Sequence, residues 1–383
     1  ITLTERDGQV SAYMDRNPVM YSEDLARSEE CIHFPGLQRP DPSSFLLMGG
    51  GLTGNISEVQ KYHPGIFDYC DADPWLYRLG KIYLPPASEE NLRFIPLDGR
   101  RWLMKASAPL YDVIISAAPD PYTLGWNRFY TLEFFDLVKR HLAPGGVFSM
   151  QLSAGGNYVN EEGMDQLNIS YRTLKTQFEY VLVVPGQVST FLASDQALSL
   201  DFPSLLEQQQ IQTTYVHPDF FDAMSLTFDS DILMDRMDPE SGSINRDMWP
   251  RLFFSSLASR ESRLGGHTLM ASGIVAVFLF VLLLFLFPPR YTGMYVAGFT
   301  GAGIQILIIF VLQSLYGFAY MMAPLMITLF MAGIVLGVRV WKPILQSPSR
   351  PKITALLWSM AILDAVALLL VKQLLICILW DLQ

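Results

Sequence analysis

The chain has 383 residues, half of them apolar, and a formal net charge of −10. This acidic balance excludes a nucleic-acid-binding protein, because phosphate binding needs a basic surface. The cysteines Cys31, Cys70 and Cys377 are far apart and form no CxxC pair, so the sequence predicts neither a disulfide framework nor a metal site.

Short β-like pieces, such as Val10–Met14, predict a small β-rich segment over residues 1–40. Residues 41–200 then alternate apolar runs with amphipathic stretches, which is the pattern of a βαβ domain. The runs lack polar alternation, as is typical of a parallel sheet that is covered on both faces. The predicted strands are Phe45–Met48, Ile66–Cys70, Leu92–Ile95, Tyr111–Ile115 and Val147–Leu152, followed by an antiparallel hairpin of Tyr180–Val184 and Val188–Ala193. The predicted helices are Ile56–Tyr62, Trp75–Tyr83 and Thr131–His141.

Residues 201–266 predict a polar connector with a short helix at Ser204–Gln210 and an Asp-rich loop at Asp229-Ser230-Asp231. Residues 267–383 predict an all-α transmembrane domain of about four helices, at 268–287, 293–313, 320–341 and 353–375. Thr268–Phe287 carries no charge and has about the 20 residues that a membrane span needs. The sequence therefore predicts an integral membrane protein.

The flanking charges give the orientation. Four arginines precede the first span, at Arg246, Arg251, Arg260 and Arg263, and they place the preceding domain in the cytoplasm. Four spans would then carry a second basic cluster, from Arg339 to Lys352, to the opposite side, so this orientation conflicts with the span count.

Two features of the helices predict a membrane-protein partner or a homo-oligomer in the lipid. Small residues recur at four-residue spacing, which allows close helix packing, although glycine is also common in membrane helices; they are Gly293, Ala297, Gly301, Gly333 and Gly337. Asp364 at mid-span is costly unless it meets a partner on another helix or chain, or lies where water reaches it.

Glycines and acids follow the predicted strands. Gly49-Gly50-Gly51 follows the first strand, Asp71 and Asp73 the second, and Asp98-Gly99 the third. A ligand of an open parallel sheet lies at these carboxyl ends, where a glycine turn lets the backbone approach closely and a carboxylate can hold a ribose. Each feature alone is common in turns and helix caps, but together they predict a nucleoside site. The sequence has no GxxxxGK phosphate clamp, so a nucleotide triphosphate is disfavoured.

Further motifs make a family resemblance specific. They are Gly49-Gly50-Gly51, Asp71-Ala72-Asp73-Pro74, Leu97-Asp98-Gly99-Arg100-Arg101, Tyr111-Asp112-Val113-Ile114-Ile115, Asp120-Pro121, Asn127-Arg128-Phe129-Tyr130-Thr131 and Leu142-Ala143-Pro144-Gly145-Gly146. In order and spacing, about residues 10–195 resemble the spermidine synthase family, and the chain looks most like its membrane-fused members. The resemblance implies an α/β, class I methyltransferase-like (Rossmann-like) sheet that binds decarboxylated S-adenosylmethionine and transfers its aminopropyl group to a polyamine amine.

The resemblance also implies roles for individual residues. Gly49, Gly50, Gly51 and Gly54 would approach the methionine-derived end of the ligand. Asp71 would hold the ribose, and Asp98 with Gly99 would meet the adenine. Asp120 would face the amine substrate, in a substrate region that also includes Tyr21, Asn127, Arg128 and Tyr130.

Three departures affect the amine half of the reaction. Ala117 stands where the family has its first acid, Leu52 replaces an acid in the glycine turn, and no Gln accompanies Tyr21. One of Glu29, Glu30 and His33 would then serve as the base, although His33 is also typical of a surface or core histidine. Alternatively, Asp120 would act alone. Arg128 beside Asp120 favours an anionic substrate. The chain is therefore either an aminopropyl- or alkyl-transferase or a non-catalytic subunit of a membrane complex.

Overall fold

The protein is described here by a computed structural model. It describes residues 2–6, 9–14, 17–21, 24–50, 54–83, 88–105, 107–153, 161–186, 188–217, 219, 223–237, 243–263, 268–286, 289–316, 319–345 and single positions from 351 to 366. The chain divides into two compact units, residues 1–259 and residues 260–383.

The first unit contains two sheets. Three antiparallel strands near the amino terminus are β1 (Thr2–Arg6), β2 (Gln9–Met14) and β3 (Asn17–Tyr21). The larger sheet has seven strands in the order β6-β5-β4-β7-β8-β10-β9. They are β4 (Ser44–Met48), β5 (Ile66–Cys70), β6 (Leu92–Ile95), β7 (Tyr111–Ser116), β8 (Leu142–Leu152), β9 (Tyr180–Val184) and β10 (Ser189–Ser194).

Strands β6, β5, β4, β7 and β8 are parallel, and β10 pairs antiparallel with β8 and β9. Every residue of β4, β7 and β10 is buried, as the unbroken apolar runs indicate. The predicted mostly parallel, Rossmann-like α/β sheet with a closing hairpin is thereby confirmed. Strand order reverses between β4 and β7, and open α/β sheets bind ligands at such a point.

The helices of the first unit are α1 (Leu25–Gly36), α2 (Asn55–Gln60), α3 (Pro74–Tyr83), α4 (Gly99–Leu103), α5 (Leu124–Asn127), α6 (Leu132–Arg140), α7 (Glu161–Lys175), α8 (Phe202–Gln209), α9 (Ala223–Arg236) and α10 (Arg251–Arg263), the last of which runs into the second unit. Two differ from the sequence prediction. Helix α1 lies within the segment that the sequence predicts to be β-rich, and Asp24 caps it by accepting the backbone N–H of Arg27. The predicted loop Asp229-Ser230-Asp231 is wrong, because it lies inside α9, where Ser230 is buried and donates to the carbonyl of Val183.

The segment that the sequence predicts to be a connector packs into the first unit. Its apolar residues Phe202, Leu206 and Val216 join a buried cluster with Phe34 and Leu37. The rings of Phe34 and Phe202 stack at a centroid distance of 4.4 Å. These contacts explain why the first compact unit extends to residue 259.

The second unit contains α11 (Thr268–Leu286), α12 (Pro289–Tyr316) and α13 (Ala319–Leu345), at the positions of the first three predicted spans. In the part of the chain that the structure describes, no helix has both the length and the apolar character required to cross a bilayer. Gly301 of α12 faces Phe330 of α13, whereas none of the described residues lies within 4 Å of a Cβ position on Gly333 or Gly337. Most of the fourth predicted span, including Asp364, lies outside the described residues.

Candidate nucleoside and amine site

The glycine turn follows β4 at the carboxyl edge of the sheet. Gly49, Gly50 and Gly54 have φ values of +74°, +66° and +91°, a region that favours glycine. The N–H of Gly49 donates to the carbonyl of Cys70 at 2.9 Å, which ties the turn to β5. Gly51, Leu52 and Thr53 lie outside the described residues.

Ala117 borders the glycine turn. A Cβ atom on Gly50 would lie 2.6 Å from the Cβ of Ala117 and 3.0 Å from Nδ2 of Asn55, so only glycine fits between them. Ala117 is therefore part of the turn's surroundings. Asn55 is buried, and its Oδ1 accepts no hydrogen bond from the described part of the chain. A buried acceptor of this kind favours a donor from a ligand.

Asp71 follows β5 and is partly buried. Its Oδ2 accepts the hydroxyl of Tyr69 at 2.9 Å, and its Oδ1 accepts the N–H of Asp73 at 2.9 Å. Burial raises the pKa of Asp71, and these two hydrogen bonds only partly oppose the effect. The carboxylate is thus fixed at the sheet edge, with further acceptor capacity on each oxygen.

Asp98 caps α4 and forms an ion pair. Its Oδ1 accepts the N–H of Arg101 at 3.0 Å and lies 2.6 Å from Nη2 of Arg128. Its Oδ2 is buried and accepts no hydrogen bond within the described residues. A Cβ on Gly99 would lie 2.2 Å from Cγ and Sδ of Met48, so glycine is required for α4 to begin against β4.

Arg128 does not face the acceptor region, contrary to the sequence prediction. Its side chain is buried against Asp98, and burial lowers its pKa while the Asp98 charge opposes that effect. The backbone carbonyl of Arg128 accepts Nη1 of Arg100 at 2.9 Å. Its charge therefore neutralises Asp98.

Asp120 lies after β7, partly exposed. Its Oδ1 accepts the N–H of Ser153 at 2.9 Å and its Oδ2 accepts the hydroxyl of Tyr122 at 2.8 Å. The predicted substrate residue Tyr130 is buried below this loop, with its hydroxyl 3.0 to 3.2 Å from the carbonyls of Gln151, Ala118 and Pro119. Burial raises the pKa of Tyr130 well above its ordinary value. Tyr130 therefore supports the Asp120 loop through the carbonyls of Ala118 and Pro119, and its role in substrate binding stays a prediction.

Asn127, another predicted substrate residue, is also buried. Its Oδ1 accepts Nδ2 of Asn245 at 3.1 Å, and Asn245 also donates to the carbonyl of Tyr130 at 2.8 Å. Asn127 is therefore held within the fold by Asn245, and its substrate role stays a prediction. The side chain of the last predicted substrate residue, Tyr21, lies outside the described residues, although its backbone is in β3.

A buried ion pair supports this edge of the sheet from a distant part of the chain. Arg100 donates from Nη1 to Oδ1 of Asp247 at 2.8 Å and makes a second contact from Nη2 to Oδ2. Asp247 also accepts a hydrogen bond from the hydroxyl of Thr131 at 2.8 Å. Its backbone N–H donates to Oε2 of Glu133 at 3.0 Å. Sequence reasoning missed this network, because no local signal links residues that lie more than a hundred positions apart.

Helix α1 carries three of the predicted bases, and the structure separates them. His33 is fully buried, with Nε2 at 2.7 Å from Oε2 of Glu58 and Nδ1 at 2.9 Å from the hydroxyl of Tyr62. Both ring nitrogens have partners within the fold, which favours the interpretation of His33 as a core histidine. Glu29 is also structural, because it accepts the backbone N–H groups of residues 214–216.

Glu30 is partly buried and borders the carboxyl edge. Its Oε2 lies 4.0 Å from the position of a Cβ on Gly186, in the turn between β9 and β10. Because β10 begins opposite the end of β8, this turn lies on the ligand side of the sheet. Burial, together with the nearby charge of Asp24, raises the pKa of Glu30 to about 7, and Arg27 partly opposes the shift. Such a carboxyl can exchange a proton near neutral pH.

Comparison with known proteins shows what this part of the chain is similar to. Residues 24–194, less than half of the chain, match the spermine/spermidine synthase domain family. The match agrees with the resemblance that the motifs indicate for this stretch.

Relatives and solved structures agree with the match. The chain is 27% identical to polyamine aminopropyltransferases from Oceanobacillus iheyensis over 166 residues and from Prochlorococcus marinus strain AS9601 over 181 residues. These alignments cover 40% and 45% of this chain, and 32% and 64% of the relatives. The crystal structure of a spermidine synthase in complex with the transition state analogue AdoDATO superposes with a TM-score of 0.50 at 19% identity, covering 61% of this chain and 88% of the other. The superposition supports the methyltransferase-like fold.

Proposed function

We propose that this domain binds an S-adenosyl-type nucleoside, such as decarboxylated S-adenosylmethionine, at the carboxyl edge of the large sheet. The observation that carries the proposal is the buried Oδ2 of Asp98, which accepts no hydrogen bond within the described residues. An unpaired buried carboxylate oxygen is costly, and an exocyclic amino group of adenine is a donor that would satisfy it. The adenine would therefore lie beside Asp98 and Gly99.

Other residues of the edge fit the remainder of such a ligand. Asp71 is held by Tyr69 and Asp73 with acceptor capacity left for ribose hydroxyls. Gly49 and Gly50 would let the backbone approach the methionine-derived end. The spacing of these groups on adjacent parallel strands matches the general position of ligands in open α/β sheets.

The proposed reaction is transfer of an aminopropyl or alkyl group to an amine. When bound, the sulfonium nucleoside supplies the electrophilic carbon. Glu30 accepts the proton of the attacking nitrogen, since its pKa of about 7 lets it do so at neutral pH. Asp120 stabilises the positive charge on the amine from the adjacent loop. Glu30 thus takes over the proton transfer that Ala117 lacks the chemistry to perform.

A second candidate is a non-catalytic, nucleoside-binding subunit of a membrane assembly. The observation that favours it is Ala117, which contacts the glycine turn and brings no carboxylate to it. The candidates differ in one measurable product. Incubation with decarboxylated S-adenosylmethionine and amines releases methylthioadenosine if the first is correct and leaves the nucleoside intact if the second is correct.

Calorimetric titration of the full chain with methylthioadenosine tests the binding step. We expect saturable heat from the wild type and at least about tenfold weaker binding by Asp71→Asn, because a charge-assisted hydrogen bond to the ribose is lost. Asp136→Asn is the matched control, since Asp136 is exposed and paired with Arg140 on α6. Absence of heat, or equal losses in both variants, would contradict nucleoside binding.

We further propose that residues 267–383, many of which lie outside the described part of the chain, anchor the protein in a lipid membrane, with the first unit on the cytoplasmic side. One observation that supports the anchor is the uncharged run Thr268–Phe287, which extends beyond the side chains that the structure describes. A second is the exposure of apolar side chains, such as Ile274 with 62% and Val335 with 67% of the side chain exposed. The space next to Gly333 and Gly337, which is open among the described residues, supports packing against a second helix there. Extraction of cell membranes with alkaline carbonate should leave the chain in the pellet, and release into the supernatant would contradict anchoring.

A further inference from the structure

Arg27 lies at the edge of the candidate site. It is in the first turn of α1, one helical turn before Cys31, whose Sγ is 3.8 Å from Nδ2 of Asn55. That nitrogen borders Gly50, and the neighbouring Ser28 lies with Oγ 3.2 Å from the position of a Cβ on Gly54. The amino-terminal face of α1 therefore covers the glycine turn, with Arg27 at its outer end.

The charge of Arg27 reaches both sides of the proposed acceptor region. Burial raises the pKa of Glu30, Cys31 and Tyr130, and in each case the nearby Arg27 guanidinium partly opposes the rise. Glu30 is on α1, whereas Tyr130 is below the Asp120 loop. Arg27 lies three residues before Glu30 on α1, so the two side chains are neighbours on the surface of the helix.

The carboxyl groups around Arg27 have other partners. Asp24 accepts the backbone N–H at the start of α1, and Asp120 accepts both the Ser153 N–H and the Tyr122 hydroxyl. The Arg27 side chain is exposed, and within the residues that the structure describes its guanidinium forms no ion pair. The amino-terminal end of α1 thus offers a cation to a ligand near the glycine turn, where Ala117 brings no charge.

We propose that the amine acceptor of this domain carries a carboxylate, which pairs with Arg27, and that it is not a diamine. This inference rests on the proposed transfer function and specifies its substrate class. A diamine would place its second ammonium against the guanidinium, where like charges repel. A planar carboxylate fits the two parallel donors of an arginine.

The reaction then follows a balanced course. The neutral amino nitrogen of the acceptor attacks the carbon next to the sulfonium, a C–N bond forms and the C–S bond breaks. The electron pair of the broken bond stays on sulfur, so the nucleoside leaves as a neutral thioether. The proton released from nitrogen passes to the carboxylate of Glu30, while Arg27 holds the distant carboxylate of the acceptor.

A matched pair of probes tests the acceptor class. Putrescine and 4-aminobutyrate both have four carbons, and 4-aminobutyrate carries a carboxylate where putrescine carries a protonated aminomethyl group. Each is titrated into the full chain saturated with methylthioadenosine. We expect 4-aminobutyrate to bind at least about tenfold more tightly than putrescine, the scale of one charge-assisted pair at a partly exposed site. Equal or tighter binding of putrescine would overturn the inference.

Variants of Arg27 assign the preference to this side chain. Arg27→Gln should abolish the preference for 4-aminobutyrate and Arg27→Glu should reverse it, while Arg140→Gln, at an exposed arginine of α6, should leave it unchanged. Methylthioadenosine binding should persist in all three variants. Failure of the wild type to bind methylthioadenosine would reject the proposed function itself. Retention of that binding, with a preference unchanged in Arg27→Gln, would reject only the acceptor class.

Discussion

Replacement of the proposed base should stabilise the fold while it removes the chemistry. Glu30 borders the β9–β10 turn and is partly buried near Asp24, so its ionised form is disfavoured in the folded protein. Glu30→Gln keeps the shape and removes the charge. We therefore expect the variant to be more stable than the wild type at alkaline pH and to lose about 10²-fold or more of any transfer rate.

The size of the stabilisation follows from proton linkage. The pKa of Glu30 rises from the ordinary value of 4.5 to about 7 in the folded state. A carboxyl with a raised pKa costs no stability below its unfolded pKa, costs more as the pH rises from 4.5 to 7, and bears its full cost above that range. At 1.36 kcal/mol per pKa unit, the full cost is about 3 kcal/mol. Glu30→Gln removes this cost, so its advantage should appear between pH 4.5 and pH 7.

Thermal unfolding of the full chain at pH 4.5 and at pH 8 measures the effect. At about 2–4 °C per kcal/mol for a unit of this size, Glu30→Gln should raise the melting temperature by roughly 6–12 °C at pH 8 and hardly at all at pH 4.5. Glu207→Gln, at an exposed position of α8, is the matched control and should change neither value. A Glu30→Gln variant that is less stable at pH 8, or shifted equally at both pH values, would refute the reasoning.

Three further predictions concern the support of the site. Asp247→Asn leaves a buried arginine without its partner charge and should lower the free energy of unfolding by about 3–5 kcal/mol in denaturant titrations, whereas Asp195→Asn, in an exposed pair, should cost below about 1 kcal/mol. Gly50→Ala should lower the free energy of unfolding by at least about 1–2 kcal/mol and weaken nucleoside binding, because φ is +66° and the new Cβ has no room. The control Gly65→Ala, whose Cβ would be 3.7 Å from its nearest neighbour, should bind the nucleoside normally. Equal binding by both variants would contradict the role of the turn. Burial raises the pKa of Glu58, but hydrogen bonds from the core histidine and a lysine outweigh this effect and lower the pKa overall. Ionised Glu58 therefore stabilises the fold above its unfolded pKa, and this stabilisation is lost as the pH falls through its folded pKa. Glu58→Gln should reduce the acid dependence of unfolding below pH 4.5, and an unchanged acid profile would contradict this assignment.

The large sheet was predictable because its signals are local. Each buried strand is an apolar run of four or more residues, and a glycine turn or an acid marks its end. Asp71 and Asp98 were found in this way, since residues that follow parallel strands meet at one edge. The strand boundaries agree within a few residues for the same reason.

Long-range partners were not predictable. Nothing in the local sequence indicates that Arg128 pairs with Asp98, 30 positions away. The sequence therefore predicts that the guanidinium of Arg128 contacts the substrate. The side chain of His33 is chemically suited to act as a base. Its partners Glu58 and Tyr62 come from α2 and the turn that follows it, and the sequence around His33 does not indicate them. Asp247 lies in a segment with the polar composition of a connector. In each case burial and pairing decide the role of a polar side chain, and both depend on the assembled fold.

Local composition also misled the prediction of helices. Asp229-Ser230-Asp231 has the residues of a turn, yet it is helical because Ser230 packs against β9 and satisfies a strand carbonyl. Helix α1 contains Pro35 in its last turn, which hid its helical periodicity. Tertiary contacts override weak local preferences at both places.

The most direct test of the account is an experimental structure of the full chain with methylthioadenosine. The account predicts the adenine amino group within hydrogen-bonding distance of Oδ2 of Asp98, the ribose hydroxyls at Asp71, and the thioether sulfur beside Gly50. A nucleoside bound elsewhere, or one that leaves Oδ2 of Asp98 without a contact, would contradict it.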